Sequence, residues 1–198
     1  MRNLSDTVAA ANDRMDALEK LRESSIASSR TIIRMTKKAI HAMHSREDHK
    51  ALLNSAISEY NRLYASAVNE PEILFSGPVG DAMMELAEAC ILSAVIEKGD
   101  TPSYSSLGIT PQAWVLGLAD CLGEMRRILL NSLMDGNVGD AKEMFGHMEK
   151  VCVAVMGFDV PDAILPIRRK QDVARSIMER TRTDIANALL MDRMKLKY

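Results

Sequence analysis

Apolar residues recur every three or four positions along almost the whole chain, and nowhere does a sustained apolar–polar alternation take over. That period belongs to the α-helix, so the pattern predicts an all-α protein. Residues 5–44 contain neither Gly nor Pro and predict one helix of roughly 60 Å at 1.5 Å per residue. Ser45, with Asp48 three positions on, reads as the cap of a second helix reaching about Val68. Asn69-Glu70-Pro71 interrupts, and Gly77-Pro78 opens a third long helix that ends near Gly99. Residues 100–110 are turn-rich, with space for one short helical turn. Thr110-Pro111 supplies an N-cap and an N1 proline for a helix to about Asp135, closed by Gly136-Asn137. A further helix covers 139–156. Pro161 and Pro166 bracket a short piece, and a last long helix runs over 167–197. The expectation is a bundle of six or seven helices with long N- and C-terminal ones, in a single domain over 1–198.

Composition narrows this little. A chain of 198 residues with 47% apolar and 26% charged side chains suits one soluble domain with a sizeable core. A net charge of −2 argues against nucleic-acid binding by bulk charge, so any such binding needs a local patch. Cys90, Cys121 and Cys152 form no CxxC pair and lie in apolar surroundings, which points to buried, reduced thiols. The first residues lack the apolar run of a secretory signal, and no apolar stretch is long enough to span a bilayer. A cytoplasmic protein without a membrane partner is expected.

Two predicted helices carry acids in an unusual setting. Asp81, Glu85 and Glu88 fall within about 60° of one another at 100° per residue. The same face continues into Leu92, Val95 and Ile96, whereas a solvated face would stay polar. The next long helix repeats the arrangement with Asp120 and Glu124. Arg127 and Asn131 extend that stripe, and Trp114, Leu118, Leu122, Met125 and Leu129 lie opposite. Packed together, the two helices could present Glu85, Glu88, Asp120 and Glu124 to one point. Four such charges need protonation or a cation, and an all-oxygen set suits Mg²⁺ or Mn²⁺. Acid pairs at helical spacing are also commonly solvated or paired with Lys and Arg, and spacing alone leaves both readings open.

Basic residues form a second pattern. Arg30, Arg34, Lys37, His41 and His44 occupy a stripe about 80° wide and about 21 Å long on the first helix. Ile32, Met35, Ala39 and Met43 cover the other side. A single-sign stripe is a candidate phosphate track for RNA, or else a solvated face. On the last helix Arg168, Asp172, Arg175, Glu179 and Arg182 alternate in sign, which favours ion pairs within the helix or between subunits. His49 and His147 lack partner ligands at metal spacing and are expected at the surface.

These motifs resemble the translin/TRAX family. The stretch Gly117-Leu-Ala-Asp120-Cys-Leu-Gly-Glu124-Met-Arg-Arg127, followed by Asn131-Ser132, is similar to a family motif, and Glu85-Leu-Ala-Glu88-Ala is similar to the Glu-x-x-Glu-Ala of TRAX subunits. Ser29-Arg30 and Lys37-Lys38 sit at similar places on the long first helix. The run Phe158-Asp159-Val-Pro161-Asp162, with Arg168-Arg169-Lys170-Gln171-Asp172, looks like the single-subunit prokaryotic members. The resemblance covers nearly the whole chain and implies a translin-like fold, a hollow homo-oligomer (octamers in the family) and Mg²⁺- or Mn²⁺-dependent endoribonuclease activity. Translin subunits bind nucleic acid, RNA or single-stranded DNA, and TRAX subunits carry the catalytic acids. With Glu85, Glu88, Asp120 and Glu124 all present, the resemblance favours the catalytic branch, with those four as metal ligands. A non-catalytic translin-like binding protein is the alternative. An all-α nucleotide pyrophosphatase would have less use for the basic stripe, and ferritin-like di-iron chemistry needs a Glu-x-x-His that is missing here.

Overall fold

The computed structural model describes residues 3–195, so the expected helix end at Lys197 lies outside the described residues. Among these residues every regular element is helical: α1 Leu4–Ser45, α2 Lys50–Ala67, α3 Pro71–Leu74, α4 Gly77–Ile96, α5 Tyr104–Leu107, α6 Pro111–Met134, α7 Val138–Met156 and α8 Arg168–Lys195. Six are long and two are single turns. None is long and apolar enough to cross a membrane.

The breakers act as their chemistry requires. Thr110 Oγ1 accepts from the Ala113 N–H at 3.2 Å, with Pro111 behind it, and starts α6. Residues 100–110 form a pinned loop around α5: Tyr60 donates its hydroxyl to the Gly108 carbonyl at 2.7 Å, and the Trp114 indole donates to Pro102 at 2.8 Å. One boundary differs from the expectation. Ser45 is the last residue of α1, not the cap of α2. Arg46 takes the left-handed conformation at φ 58°, and the Glu47 N–H returns to the Ala42 carbonyl at 2.9 Å, closing α1 from its C-terminal side. Asp48 accepts from the Lys50 N–H, two residues ahead, where a capping box would have it reach back to the Ser45 N–H.

The long helices pack in a chain of neighbours: α1 on α2 and α4, α4 on α6, α6 on α7 and α8, and α7 on α8. α4 is central and correspondingly apolar, burying Val79, Met83, Leu86, Ile91 and Leu92. α6 buries Leu118, Leu122, Met125 and Leu129, the face expected opposite its acids. His49 is a correction to the expected surface position. It is buried, with its Nε2 2.8 Å from Ser93 Oγ, because the turn after α1 folds back onto α4. The first part of α1 has no such cover. Residues 3–17 are all exposed, and their described tether to the body is Arg14 on Glu70 at 2.5 Å.

Candidate acidic cleft and basic track

The acidic site is created by a very close approach of α4 and α6. A Cβ added at Gly117 would stand 2.6 Å from the Met84 carbonyl oxygen, 2.8 Å from Ala87 Cβ and 2.9 Å from Glu88 N. One turn on, the buried Cys121 thiol lies 3.2 Å from the Glu88 carbonyl oxygen. Glycine, alanine and a small thiol are what let two helix backbones come this near. With the axes so close, the Glu-x-x-Glu of α4 meets the Asp-x-x-x-Glu of α6.

Each outer acid has a basic neighbour. Lys37 of α1 lies 3.7 Å from Glu85, and His44, at the end of α1, pairs through Nε2 with Glu124. The Lys170 ammonium of α8 stands 2.5 Å from both oxygens of Asp120. Glu88, the innermost, has no side-chain ion pair among the described residues. Burial and the charges of Asp120, Glu85 and Glu124 push its carboxyl up to about 8, with Lys170 opposing. Burial also raises Glu85, against the pull of Lys37. The same surroundings hold the Cys121 thiol well above its ordinary range, so it stays protonated and inert, as does Cys90, pushed by burial to about 12. Asp81 is exposed at the rim of this face.

The four acids meet as a cluster without forming a closed cage. Among the described residues no three His, Cys, Asp or Glu side chains surround one point in the manner of metal ligands. The donor chemistry nevertheless fits a hard cation: the donors are all carboxylate oxygen, and the crowding of acids that makes Glu88 hold its proton is what a dication would relieve.

The basic stripe and the acids share one surface. Lys37, His41, His44, Glu85, Glu88, Glu124 and Arg127 line a cleft of about 360 Å³. Arg30, Arg34, Lys37, Lys38 and His41 line a shallower groove of about 490 Å³ alongside it. Lys37 and His41 belong to both, so four of the five stripe residues lead to the acids. His44 is placed differently: its side chain is only 4% exposed and turns inward to Glu124. Its Nδ1 is buried without a hydrogen-bond partner.

Two cations were not singled out from sequence as site residues. Lys38 joins the groove from beside the stripe. Lys170 reaches the acids from a helix whose charges read as an ion-pair ladder. Part of that ladder exists, with Arg175 on Asp172 at 2.6 Å and Arg182 on Glu149 of α7 at 3.2 Å. The available signal for Lys170 was Arg168-Arg169-Lys170, three cations in the first turn of α8, where the helix dipole disfavours them.

A helical bundle with a carboxylate cleft between its two central helices and a cationic groove beside it is an all-α protein of the C3PO class. The chain belongs to the translin/TRAX family. It is 33% identical over 171 residues to the uncharacterized protein MJ0175 of Methanocaldococcus jannaschii, a match covering 84% of this chain and 76% of that one. It is similar to the crystal structure of AfC3PO, with a TM-score of 0.86 and 32% identity over 93% of this chain and 98% of that one. An AfC3PO–duplex RNA complex gives a TM-score of 0.86 at 30% identity, covering 93% and 97%. Apo-NeC3PO, 21% identical with a TM-score of 0.81 over 95% and 98%, shows the same fold. No family model matches the chain.

Proposed function

We propose that this protein is a metal-dependent endoribonuclease that binds RNA inside a hollow homo-oligomer and hydrolyses its phosphodiester bonds. The observation that carries the reading is the shared surface: Lys37 and His41 belong both to the basic groove and to the cleft floored by the acids. A chain of phosphates on the groove would pass directly over the carboxylates. Structural similarity to AfC3PO bound to duplex RNA supports RNA as the ligand.

In this reading Arg30, Arg34, Lys37 and His41 hold the backbone phosphates, and Arg127 lies at the cleft to meet the phosphate at the cutting position. Glu85, Glu88, Asp120 and Glu124 are the ligand set for Mg²⁺ or Mn²⁺. When bound, such an ion supplies an acidified water and neutralises charge on the phosphate oxygens. His44 is a positioning residue: buried and paired with Glu124, it fixes that carboxylate against the cleft wall. The apolar layer beneath, from Leu86 and Leu122, holds the acids' helices in place and limits water behind them.

Incubation of labelled RNA with the pure protein, with Mg²⁺ or with EDTA, tests this. Asp120→Asn keeps the shape but removes a charge, and we expect cleavage to fall by at least about 100-fold while RNA binding stays near wild type. Wild-type cutting rates in both Asp120→Asn and Glu85→Gln would exclude the quartet as the active site.

One observation favours a second reading. Lys37, His44 and Lys170 already pair with three of the acids. A translin-like protein that binds RNA or single-stranded DNA without cutting it would need nothing more. Retained RNA binding with no metal-dependent cleavage by the wild-type protein would establish that alternative.

A further inference from the structure

Lys170 sits in a place that helix physics disfavours. It is the third of three consecutive cations in the first turn of α8, against the positive end of the helix dipole. Arg168 finds a distant partner in Asp162 at 3.5 Å, whereas the Lys170 ammonium bridges both oxygens of Asp120 at 2.5 Å. The backbone that delivers it is firmly held. Leu165 and Ile167 are buried, and the Gln171 amide donates to the carbonyls of Val155 at 3.0 Å and Phe158 at 2.8 Å. The side chain itself is freer, with 26% of its surface exposed and an open route to solvent. A lysine is a compact charge on a flexible stem, easily released, unlike the rigid fork of an arginine.

Both Asp120 oxygens are therefore engaged by an ammonium. A hard dication seeks those same lone pairs, and it repels a neighbouring ammonium at short range. Resting on the metal-site reading above, we propose that Lys170 is a built-in counter-ion, which a divalent cation must displace from Asp120 before the carboxylate cluster can hold it. Without the ammonium the free carboxylates repel one another, and the cleft is primed for the metal. With it, the acids are held together in metal-free protein, and metal loading is weakened by the energy of the ion pair.

The test is calorimetric titration of Mn²⁺ into the full-length, RNA-free protein, comparing wild type with Lys170→Met and Asp120→Asn. Lys170→Met should bind Mn²⁺ roughly threefold to tenfold more tightly than wild type, the factor set by one partly exposed ion pair. Lys170→Gln, which keeps a polar head, should tighten binding in the same direction and serves if the methionine variant does not fold. Asp120→Asn should lose the site. Equal or weaker Mn²⁺ binding in the folded Lys170 variants, with binding still lost in Asp120→Asn, would overturn the role of Lys170 and leave the metal site standing. Wild-type-like binding in Asp120→Asn, or no binding by any of the proteins, would remove the metal site and the counter-ion role together.

Discussion

A glutamate carboxyl ordinarily titrates near 4.5, and burial among three other acids carries that of Glu88 to about 8. Between those two values the unfolded chain has released a proton that the folded protein still holds. The unfolded state then binds fewer protons, so stability falls as pH rises from about 4.5 to about 8 and levels off above. Glu88→Gln removes the titrating group while keeping its shape. We expect the variant to be more stable than wild type at pH 8 by on the order of 2 kcal/mol, with little difference at pH 4.5. Thermal unfolding in EDTA at several pH values checks this, and a pH profile identical in the two proteins would contradict it. The acids themselves were legible as single residues, because a carboxylate on a stripe that continues into Leu92 is visible in one helix. Their partners were not. His44 read as one more member of a basic track, yet packing rotates its end of α1 onto Glu124.

At the scale of elements, the site depends on how closely α4 and α6 approach. Gly117→Ala adds one methyl, but the atoms it would meet are the backbone of α4 and Ala87, and none of them is a flexible chain end that can swing aside. The helices must separate, at a cost of about 1–3 kcal/mol. Since that contact brings Glu88 to Asp120, the same change should weaken both Mn²⁺ binding and RNA cleavage. Ala at Gly123, on the same helix with open space around it, is the control. If Gly117→Ala matches Gly123→Ala in melting temperature and metal affinity, the close approach has no such role. On α1 the exposed track predicts a salt effect. Arg34→Glu should weaken RNA binding and lower the slope of log affinity against log salt by roughly one unit per lost phosphate contact. Arg34→Glu with Lys37→Glu should lower it further, although Lys37 also faces Glu85. Unchanged slopes would make the stripe a solvated face.

Viewed whole, the molecule leaves much of its longest helix uncovered. Leu4, Val8, Met15 and Leu18 share one face of α1 by helical spacing, and the first three are at least half exposed. At the other end of the chain Leu190, Met191 and Met194 of α8 are exposed too. Apolar surface on projecting helices is what a second copy of the chain would cover, in keeping with the proposed homo-oligomer. Light scattering at micromolar concentration should give a multiple of the 21.9 kDa chain mass. Val8→Glu with Met15→Glu should lower that mass while the helical circular dichroism persists. A monomeric wild-type protein would count against an enclosed RNA chamber.

The sequence by itself determined the helices, because helix formation is decided over three or four residues and by local caps such as Thr110-Pro111. It also determined which acids share a face, since Glu85 with Glu88 and Asp120 with Glu124 lie one turn apart. At the turn after Ser45 local chemistry was ambiguous, and the chain closed α1 with a left-handed Arg46 instead of opening α2 with a serine cap. Only the tertiary structure decided what stands across from each acid. Lys170 is 50 residues from Asp120 and His44 is 80 from Glu124, separations at which no periodicity constrains the pairing. The physical reason is that a helical pattern specifies the direction of a side chain about its own axis. Which charge lies in that direction depends on how near the next helix packs, and here that distance is set by a glycine, an alanine and a cysteine that carry no charge at all.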